Sequence, residues 1–312
     1  MTPSKPYLPE DLSALPEFAG GEPKFAVFGK PVGHSLSPLM QNAALRLIAQ
    51  KRGIWANSRY FAFEVGAETL GDVLPMFRAK NFAGINLTIP HKVEAMKLAD
   101  ELDESARLAG ACNTLLASGR GWRGYNTDGF GLQAAIRRGL GREIAGADVV
   151  LIGAGGAARG AAFHLLAQKC GSLTIANRSR GRLEALARDI KSAGFECAAV
   201  SLGEGLKIPR GAIVVNATSV GLDAGDAPVL DFSKFPADAV FFDMPYRRGA
   251  ETASVEAARA AGIKASSGLP MLVWQGAKSM SIWLENLGGE KGENLDVEEI
   301  ARAMCAALGT EF

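Results

Sequence analysis

The sequence predicts an α/β fold in two domains, one of them a doubly wound parallel sheet. Three observations predict it. Strand-like and helix-like segments alternate along most of the chain, as they do in layered α/β proteins. The apolar run Asp148–Ile152 enters a glycine-rich turn, Gly153-Ala154-Gly155-Gly156, and a helical stretch follows; this is the strand–turn–helix junction of a doubly wound sheet. The length of 312 residues exceeds what one hydrophobic core comfortably serves.

The elements follow in order. Met1–Gly21 carries four prolines and scattered acids. It has no apolar h-region, so it reads as a tail or surface strap and not as a signal peptide. Phe25–Gly29 is a short apolar strand, and Pro38–Gln50 has helical spacing through Leu39, Ala43, Leu45 and Leu47. Arg59–Val65 alternates like a strand, Thr69–Lys80 reads as a helix despite Pro75, and Phe82–Ile89 is a strand. Pro90 is placed to begin the next helix, since proline suits a first turn.

The style changes after Asn126-Thr127-Asp128-Gly129. Gly129–Leu140 is a helix, and Asp148–Ile152 is a continuous apolar run of the kind buried on both faces of a parallel sheet. Leu173–Asn177, Ala212–Asn216, Ala239–Asp243 and Lys264–Ala265 are the later strands, and Met271–Asn286 and Val297–Leu308 are closing helices. Residues 129–268 therefore form one domain. Residues 1–128 with 269–312 form the other, residues 1–22 being its tail.

Composition narrows the function classes. Hydrophobic residues make up 48% and charged residues 21%, with a net charge of +1. That is an ordinary soluble composition without the basic bias expected of a nucleic-acid binder. No apolar run is long enough to span a bilayer. The four cysteines, Cys112, Cys170, Cys197 and Cys305, lie far apart and show no metal-site or redox spacing. They read as reduced thiols in a cytoplasmic protein that holds no metal.

The glycine turn carries the first chemical signal. Gly153 allows the tight turn, Gly155 lets a pyrophosphate approach the backbone, and Ala158 is small enough for the helix to pack on the strand. The free N–H groups of Gly153, Ala154, Gly155, Gly156 and Ala157 and the helix dipole favour phosphate. The plain alternative is a glycine-rich turn with no ligand, and the correct flanking strand and helix argue against it. The end of the second strand selects the dinucleotide. NAD enzymes usually place an Asp or Glu there. This chain has Asn177-Arg178-Ser179-Arg180-Gly181-Arg182 and no acid. Arg178 and Arg182 suit a 2′-phosphate through planar, charge-assisted hydrogen bonds, which indicates NADP. A solvated basic turn is the competing reading.

Four polar clusters lie outside that domain: Gly33-His34-Ser35-Leu36-Ser37-Pro38, Asn86-Leu87-Thr88-Ile89-Pro90-His91-Lys92, Cys112-Asn113-Thr114-Leu115, and Asn126-Thr127-Asp128-Gly129. Hydroxyls, amides, one lysine and one aspartate suit a polyhydroxylated carboxylate. Each cluster also has a structural explanation. Ser37-Pro38 matches a helix N-cap with proline at the first position, Asp128 is a possible N-cap, and Lys92 is a possible surface lysine.

Taken in order, these clusters resemble one family. With Gly153–Ala157, Asn177-Arg178-Ser179, Asn216-Ala217-Thr218-Ser219-Val220-Gly221, Asp243-Met244-Pro245-Tyr246 and Gly268-Leu269-Pro270-Met271-Leu272-Val273-Trp274-Gln275, the pattern resembles shikimate dehydrogenases over residues 25 to 290. The resemblance implies an N-terminal α/β substrate-binding domain, a Rossmann-like NADP domain, and closing helices that return to the first. It implies reversible reduction of 3-dehydroshikimate to shikimate, with NADP, within aromatic amino-acid biosynthesis. Ser35 and Ser37 would hold the substrate carboxylate. Thr88, Asn113, Asp128 and Gln275 would hold ring hydroxyls, with Asn86 and Tyr246 close by. Lys92 and Asp128 would be the catalytic pair. Met244 and Gly268 would line the nicotinamide, and Thr218 would bind the cofactor.

In that scheme Lys92 donates the proton and Asp128 orients it, and His34 and His91 are rival donors. Ser267 and Ala253 depart from the family's usual Asp and Pro, and the N-terminal segment is longer than usual. A quinate/shikimate enzyme using NAD is the nearest alternative, although the acid it needs after the second strand is missing. A non-catalytic NADP sensor is disfavoured because Lys92 and Asp128 are both present. The expected partners are small molecules, with no nucleic acid or membrane, and the chain is expected to be a monomer or homodimer.

Overall fold

The structure, a computed structural model, describes residues 5–14, 21–203, 205–289 and 295–311. It divides into two compact units: one takes the chain through Thr127 and resumes at Val273–Glu311, and the other is Asp128–Leu272.

The first unit contains α1 (Asp11–Ala14), β1 (Lys24–Gly29), α2 (Ser37–Arg52), β2 (Tyr60–Glu64), α3 (Leu70–Ala79), β3 (Phe82–Leu87), α4 (Ala95–Leu98), β4 (Glu101–Leu102), α5 (Glu104–Ala109), β5 (Thr114–Ser118) and β6 (Gly121–Tyr125). These form a six-stranded mixed sheet in the order β2-β1-β3-β5-β6-β4. β1 runs parallel to β2 and β3, and β5 runs antiparallel to β3 and β6. Burial is continuous along β1 and β3, so both faces are covered. One face is a cluster of aromatic rings, including Phe28, Phe63, Phe77 and Phe82.

Of the N-terminal segment read as a tail or surface strap, residues 5–14 lie against the unit: Tyr7 bridges Phe63 beside β2, and Leu12 is buried in the aromatic core; residues 1–4 and 15–20 lie outside the described residues. One expectation needs correction in this unit: Pro90 does not begin a helix. Residues 90–94 form successive turns and α4 starts at Ala95. The Lys92 carbonyl accepts from Cys112 N at 2.7 Å, so it serves the next segment of the unit and not a helical turn.

The second unit contains α6 (Asp128–Ala135), continued by a π-helical turn at Ile136–Leu140, then β7 (Asp148–Ile152), α7 (Gly156–Ala167), β8 (Ser172–Asn177), α8 (Arg180–Ser192), β9 (Ala198–Ser201), β10 (Ile213–Asn216), β11 (Val240–Asp243), α9 (Ala253–Ala260) and β12 (Lys264–Ser267). Its sheet has the order β12-β11-β10-β7-β8-β9, and every pair is parallel. The chain steps outward from β7 to β9, then returns to the other side at β10. The switch point lies between β7 and β10. Pairing with β11 carries β12 to Ser267, two residues past the expected end, because Phe242 pairs Ser266 and Asp243 pairs Ser267.

Two helices close the chain, α10 (Leu269–Leu287) and α11 (Val297–Leu308). In the first unit Trp283 of α10 lies on β3, where Gly84 makes room for it: a Cβ there would sit 2.2 Å from the indole ring. The indole Nε1 donates to Leu115 O at 3.0 Å. The same helix is tied to α2 by Gln41 Nε2, which donates to Gly276 O at 3.0 Å. Among the described residues no helix is long and apolar enough to cross a membrane.

Candidate functional site

In the second unit the strand registers align five carboxyl ends. Ile152 pairs Asn216 and Ala176, Asn216 pairs Asp243, and Asp243 pairs Ser267. The turns that leave these strands therefore lie along one edge, where doubly wound sheets bind ligands. Gly153 sits at the switch point with φ +117°, and a Cβ there would meet Ala217 O at 3.1 Å. The φ calls for glycine, and the close Ala217 carbonyl would have to give way to any side chain. Gly155 and Gly156 have open space where a Cβ would stand. Gly155 caps α7 without any side-chain hydrogen bond to the first turn, and Ala158 is buried. Open backbone at a free helix N-terminus is the cradle a pyrophosphate needs.

One strand over, Asn177 Nδ2 donates to Ser179 O at 2.9 Å and shapes the turn into α8. Arg178, Ser179 and Arg182 are exposed. Arg180 is engaged by Glu184 at 2.8 Å. Arg178 and Arg182 have no ion pair among the described residues. Two uncommitted guanidinium groups on a turn without a carboxylate fit the 2′-phosphate of NADP. On the other side of the switch point, Thr218 follows β10, Met244 follows β11, and Gly268 follows β12. Met244 N donates to Asn216 O at 2.9 Å and Gly268 N to Pro245 O at 3.1 Å. Tyr246 lies on the same turn as Met244, and burial raises its phenol pKa.

In the first unit a buried network gathers several of the predicted polar residues. Tyr60, 2% exposed, donates to Asn86 Oδ1 at 2.8 Å. Burial drives the Tyr60 pKa well up, so it stays a neutral donor. Asn86 Nδ2 reaches Thr114 Oγ1 and Ser279 Oγ, both at 3.0 Å. Asn113 is 2% exposed. Its Oδ1 accepts from Thr127 N and Thr114 Oγ1, both at 2.9 Å. Its Nδ2 donates to Thr127 Oγ1 at 3.0 Å and Gln275 Oε1 at 3.3 Å. The Asn113 amide thus spends its full capacity inside the protein and orients Gln275. Tyr60, Thr114, Thr127 and Ser279 complete this network without having been assigned a role from the sequence.

Ser35, Thr88 and Lys92 lie on turns around this network. Ser35 Oγ accepts from Ser37 N at 3.2 Å. Thr88 packs its methyl where a Cβ on Gly29 would be, 2.4 Å away, so Gly29 permits the approach of β1 to this turn. Cys112 N holds the Lys92 carbonyl, next to Asn113. Asp128 is the first residue of α6; Gly129 after it admits the His164 ring, whose Nδ1 lies 2.4 Å from a Cβ built there. The rival donor His91 is fully buried with Nε2 on Val65 O at 2.9 Å. Burial lowers its pKa, so it is a neutral packing residue. His34 is exposed.

Residues 27–115 match the family described as the shikimate dehydrogenase substrate binding domain, and residues 135–221 match the family described as shikimate/quinate 5-dehydrogenase. The chain is 42% identical over 286 residues to the shikimate dehydrogenase (NADP(+)) of Methanothrix thermoacetophila, covering 91% of this chain and 97% of that one. Its fold is similar to a shikimate dehydrogenase solved in complex with NADP+, with TM-score 0.78 and 34% identity over 92% of this chain and 96% of that one. It is also similar to the Thermus thermophilus shikimate 5-dehydrogenase solved with NADP(H) and shikimate, with TM-score 0.74 and 35% identity over 91% of this chain and 99% of that one. With matches to both halves and identity of this extent, the chain belongs to the shikimate dehydrogenase family.

Proposed function

We propose that the protein is an NADP-dependent shikimate dehydrogenase, an oxidoreductase that interconverts 3-dehydroshikimate and shikimate in aromatic amino-acid biosynthesis. The observation that carries this reading is the pair of polar sites on one chain. One is a free helix N-terminus after a glycine turn, beside two unpaired arginines and no carboxylate. The other is a neutral amide–hydroxyl cluster suited to a polyol. The relatives solved with NADP+ and with shikimate support both halves.

The cofactor, when bound, supplies the hydride. The glycine turn Gly153–Ala157 holds its pyrophosphate, with Asn177, Arg178, Ser179 and Arg182 at the 2′-phosphate and Thr218, Met244 and Gly268 at the nicotinamide end. Ser35 and Ser37 bind the substrate carboxylate. Thr88 and Gln275 hold ring hydroxyls, with Asn86, Asn113 and Tyr246 beside them. Asn113 acts chiefly by fixing the Gln275 amide. Charge develops on the carbonyl oxygen as the carbon is reduced. Lys92 donates the proton there and takes it back in the reverse direction, and Asp128 orients Lys92 and the adjacent hydroxyl. We also propose that the enzyme is cytoplasmic and acts as a monomer or homodimer.

The test is absorbance at the nicotinamide band with shikimate and NADP or NAD, then with quinate replacing shikimate. Turnover with shikimate and NADP, much weaker with NAD and absent with quinate, is expected. Turnover with quinate and NAD at a comparable rate would reverse both assignments. Arg178→Ala with Arg182→Ala should raise the NADP KM by at least about tenfold, a guanidinium–phosphate contact being worth a charged hydrogen bond or more. The NAD KM should stay unchanged.

A further inference from the structure

Asp243 ends β11 and begins the Asp243–Tyr246 motif, and the reaction scheme leaves it without a role. It is 0% exposed, and it has no ion pair among the described residues. Its Oδ1 accepts from Asn216 Nδ2 at 2.6 Å, and its Oδ2 accepts from Thr252 Oγ1. Burial pushes the carboxyl up to about 6, against these two hydrogen bonds. A buried acid without a basic partner costs stability, and such groups concentrate where a site needs them.

What it holds is informative. The Asn216 Nδ2 that faces Asp243 also donates to Val220 O at 3.0 Å. The opposite end of the same amide, Oδ1, accepts from Thr218 N at 3.0 Å and Thr218 Oγ1 at 2.7 Å. Thr218 Oγ1 in turn accepts from Val220 N at 3.1 Å. An amide rotated by half a turn would aim its NH2 at Thr218 N, a donor against a donor. The carboxylate opposes that state as well, because it can only accept, and the rotated amide would turn its own acceptor oxygen toward Asp243 Oδ1. Gly221 gives the turn a φ of +111°, a conformation that favours glycine, and Asp243 Oδ2 packs at ordinary contact distance beside it, 3.4 Å from where a Cβ would stand. The backbone of the next residue, Met244, is tied to Asn216 O. One carboxylate therefore sets the shape of the 216–221 turn and anchors it to the start of the 244–246 turn.

We propose that Asp243 is a positioning residue for the nicotinamide half of the cofactor, acting through Asn216 on Thr218 and, along its own strand end, on Met244. The proposal rests on the reading that Thr218, Met244 and Gly268 serve that half, while the glycine turn and Arg178 serve the other. It therefore predicts an asymmetric loss of binding.

The test is calorimetric titration of the full chain with NADP and, separately, with 2′,5′-ADP, which has the 2′-phosphate and no nicotinamide. Asp243→Ala is expected to weaken NADP by about tenfold, the worth of one hydrogen bond to a charged group, with 2′,5′-ADP unchanged. Asp243→Asn keeps an acceptor for Asn216 and should weaken NADP by only about threefold, as a neutral hydrogen bond replaces a charged one. Unchanged NADP affinity, or equal weakening of both probes, overturns the proposal, since a purely structural role does not distinguish the two ends. If Asp243→Ala fails to fold, the same comparison on Asp243→Asn decides. A wild-type chain that binds neither probe refutes the cofactor assignment itself and is recognisable as that separate failure.

Discussion

Replacing Gly268 by alanine tests the nicotinamide edge most severely. A Cβ at this position would lie 1.9 Å from Met244 O and 2.7 Å from its carbonyl carbon, where ordinary contact begins at 3.4 Å. The obstacle is backbone, so no rotamer change relieves it. The 244–246 turn must move by about 1.5 Å, the difference between those two distances, and the 3.1 Å bond from Gly268 N to Pro245 O is lost with it. Overpacking of this kind costs about 1–3 kcal/mol, and the hydrogen bond adds about 1 kcal/mol. A loss of about 2–4 kcal/mol in a unit of this size lowers Tm by roughly 5–15 °C. Misplacement by more than 1 Å beside the reacting centre should also cut kcat by about 10². Differential scanning calorimetry and steady-state kinetics on the purified variant give both numbers. A Tm within about 2 °C of wild type together with an unchanged kcat would refute the reasoning, because a shift of under 1 kcal/mol leaves no room for the backbone clash.

The contrasting glycine is Gly155, where a Cβ meets nothing within 4 Å and the backbone is extended at φ −90°. Gly155→Ala should leave Tm unchanged while weakening NADP by about tenfold or more, because only the incoming pyrophosphate feels the methyl; equal NADP affinity by calorimetry would remove the pyrophosphate from this turn. Lys92→Met should lower kcat by about 10²–10⁴ with little change in the shikimate KM, and a nearly intact kcat would sink the proton-donor assignment. Two groups with large shifts act on acid stability with opposite sign, beside the lowered His91 and the lowered surface carboxyls of Asp231, Asp238 and Glu299. Burial lowers His164 to about 4, so on acidification the unfolded chain takes up a proton that the folded one refuses, and stability falls between about pH 6.5 and 4. Asp243, raised to about 6, keeps its proton when folded and adds stability as pH drops from about 6 to 4. The two largely cancel in wild type. Asp243→Asn, which cannot titrate, should therefore lose about 1 kcal/mol more than wild type between pH 7.5 and 5, and parallel urea-denaturation curves at the two pH values would contradict this.

Most of the second unit is legible in the sequence because its signals are local. Asp148–Ile152 followed by Gly153 announces strand, turn and helix within a few residues, and the alignment of five carboxyl ends follows from parallel pairing. The first unit is harder to read. β5 and β6 are five residues each, joined through Gly119 at φ +53°, and strands that short carry too few side chains for a periodicity. Pro90 misleads for a different reason. Its local preference for a first helical turn is real, but the Lys92 carbonyl is claimed by Cys112 N from twenty positions along the chain. Tyr60 and Ser279 escape notice, and Thr114 is seen in its cluster without a role, because Asn86 meets them across 26, 193 and 28 positions. No window on the sequence contains such pairs.

The two halves also differ in what their sites are made of, and this decides how each tolerates change. In the proposed cofactor site the groups offered are largely backbone: the first turn of α7, Gly153 and Gly155. Such sites are sensitive to added volume, and in the proposed reading their specificity falls to two exposed side chains, Arg178 and Arg182. Exposed arginines can change without disturbing the fold, so that reading makes the choice between NADP and NAD an easily altered property. On the first unit the site rests on neutral amides and hydroxyls whose partners are one another. Asn113 has no spare hydrogen-bonding group, since both lone pairs and both N–H groups are spent on Thr127, Thr114 and Gln275. Removing any member leaves a buried partner unsatisfied, at about 1–3 kcal/mol, so substitutions there couple binding to stability. Under the proposed assignment, substrate preference is most readily changed through Ser35, Thr88 and Gln275. The buried set of Tyr60, Asn86, Asn113, Thr114 and Ser279 supports those three, and cofactor preference can shift without touching it.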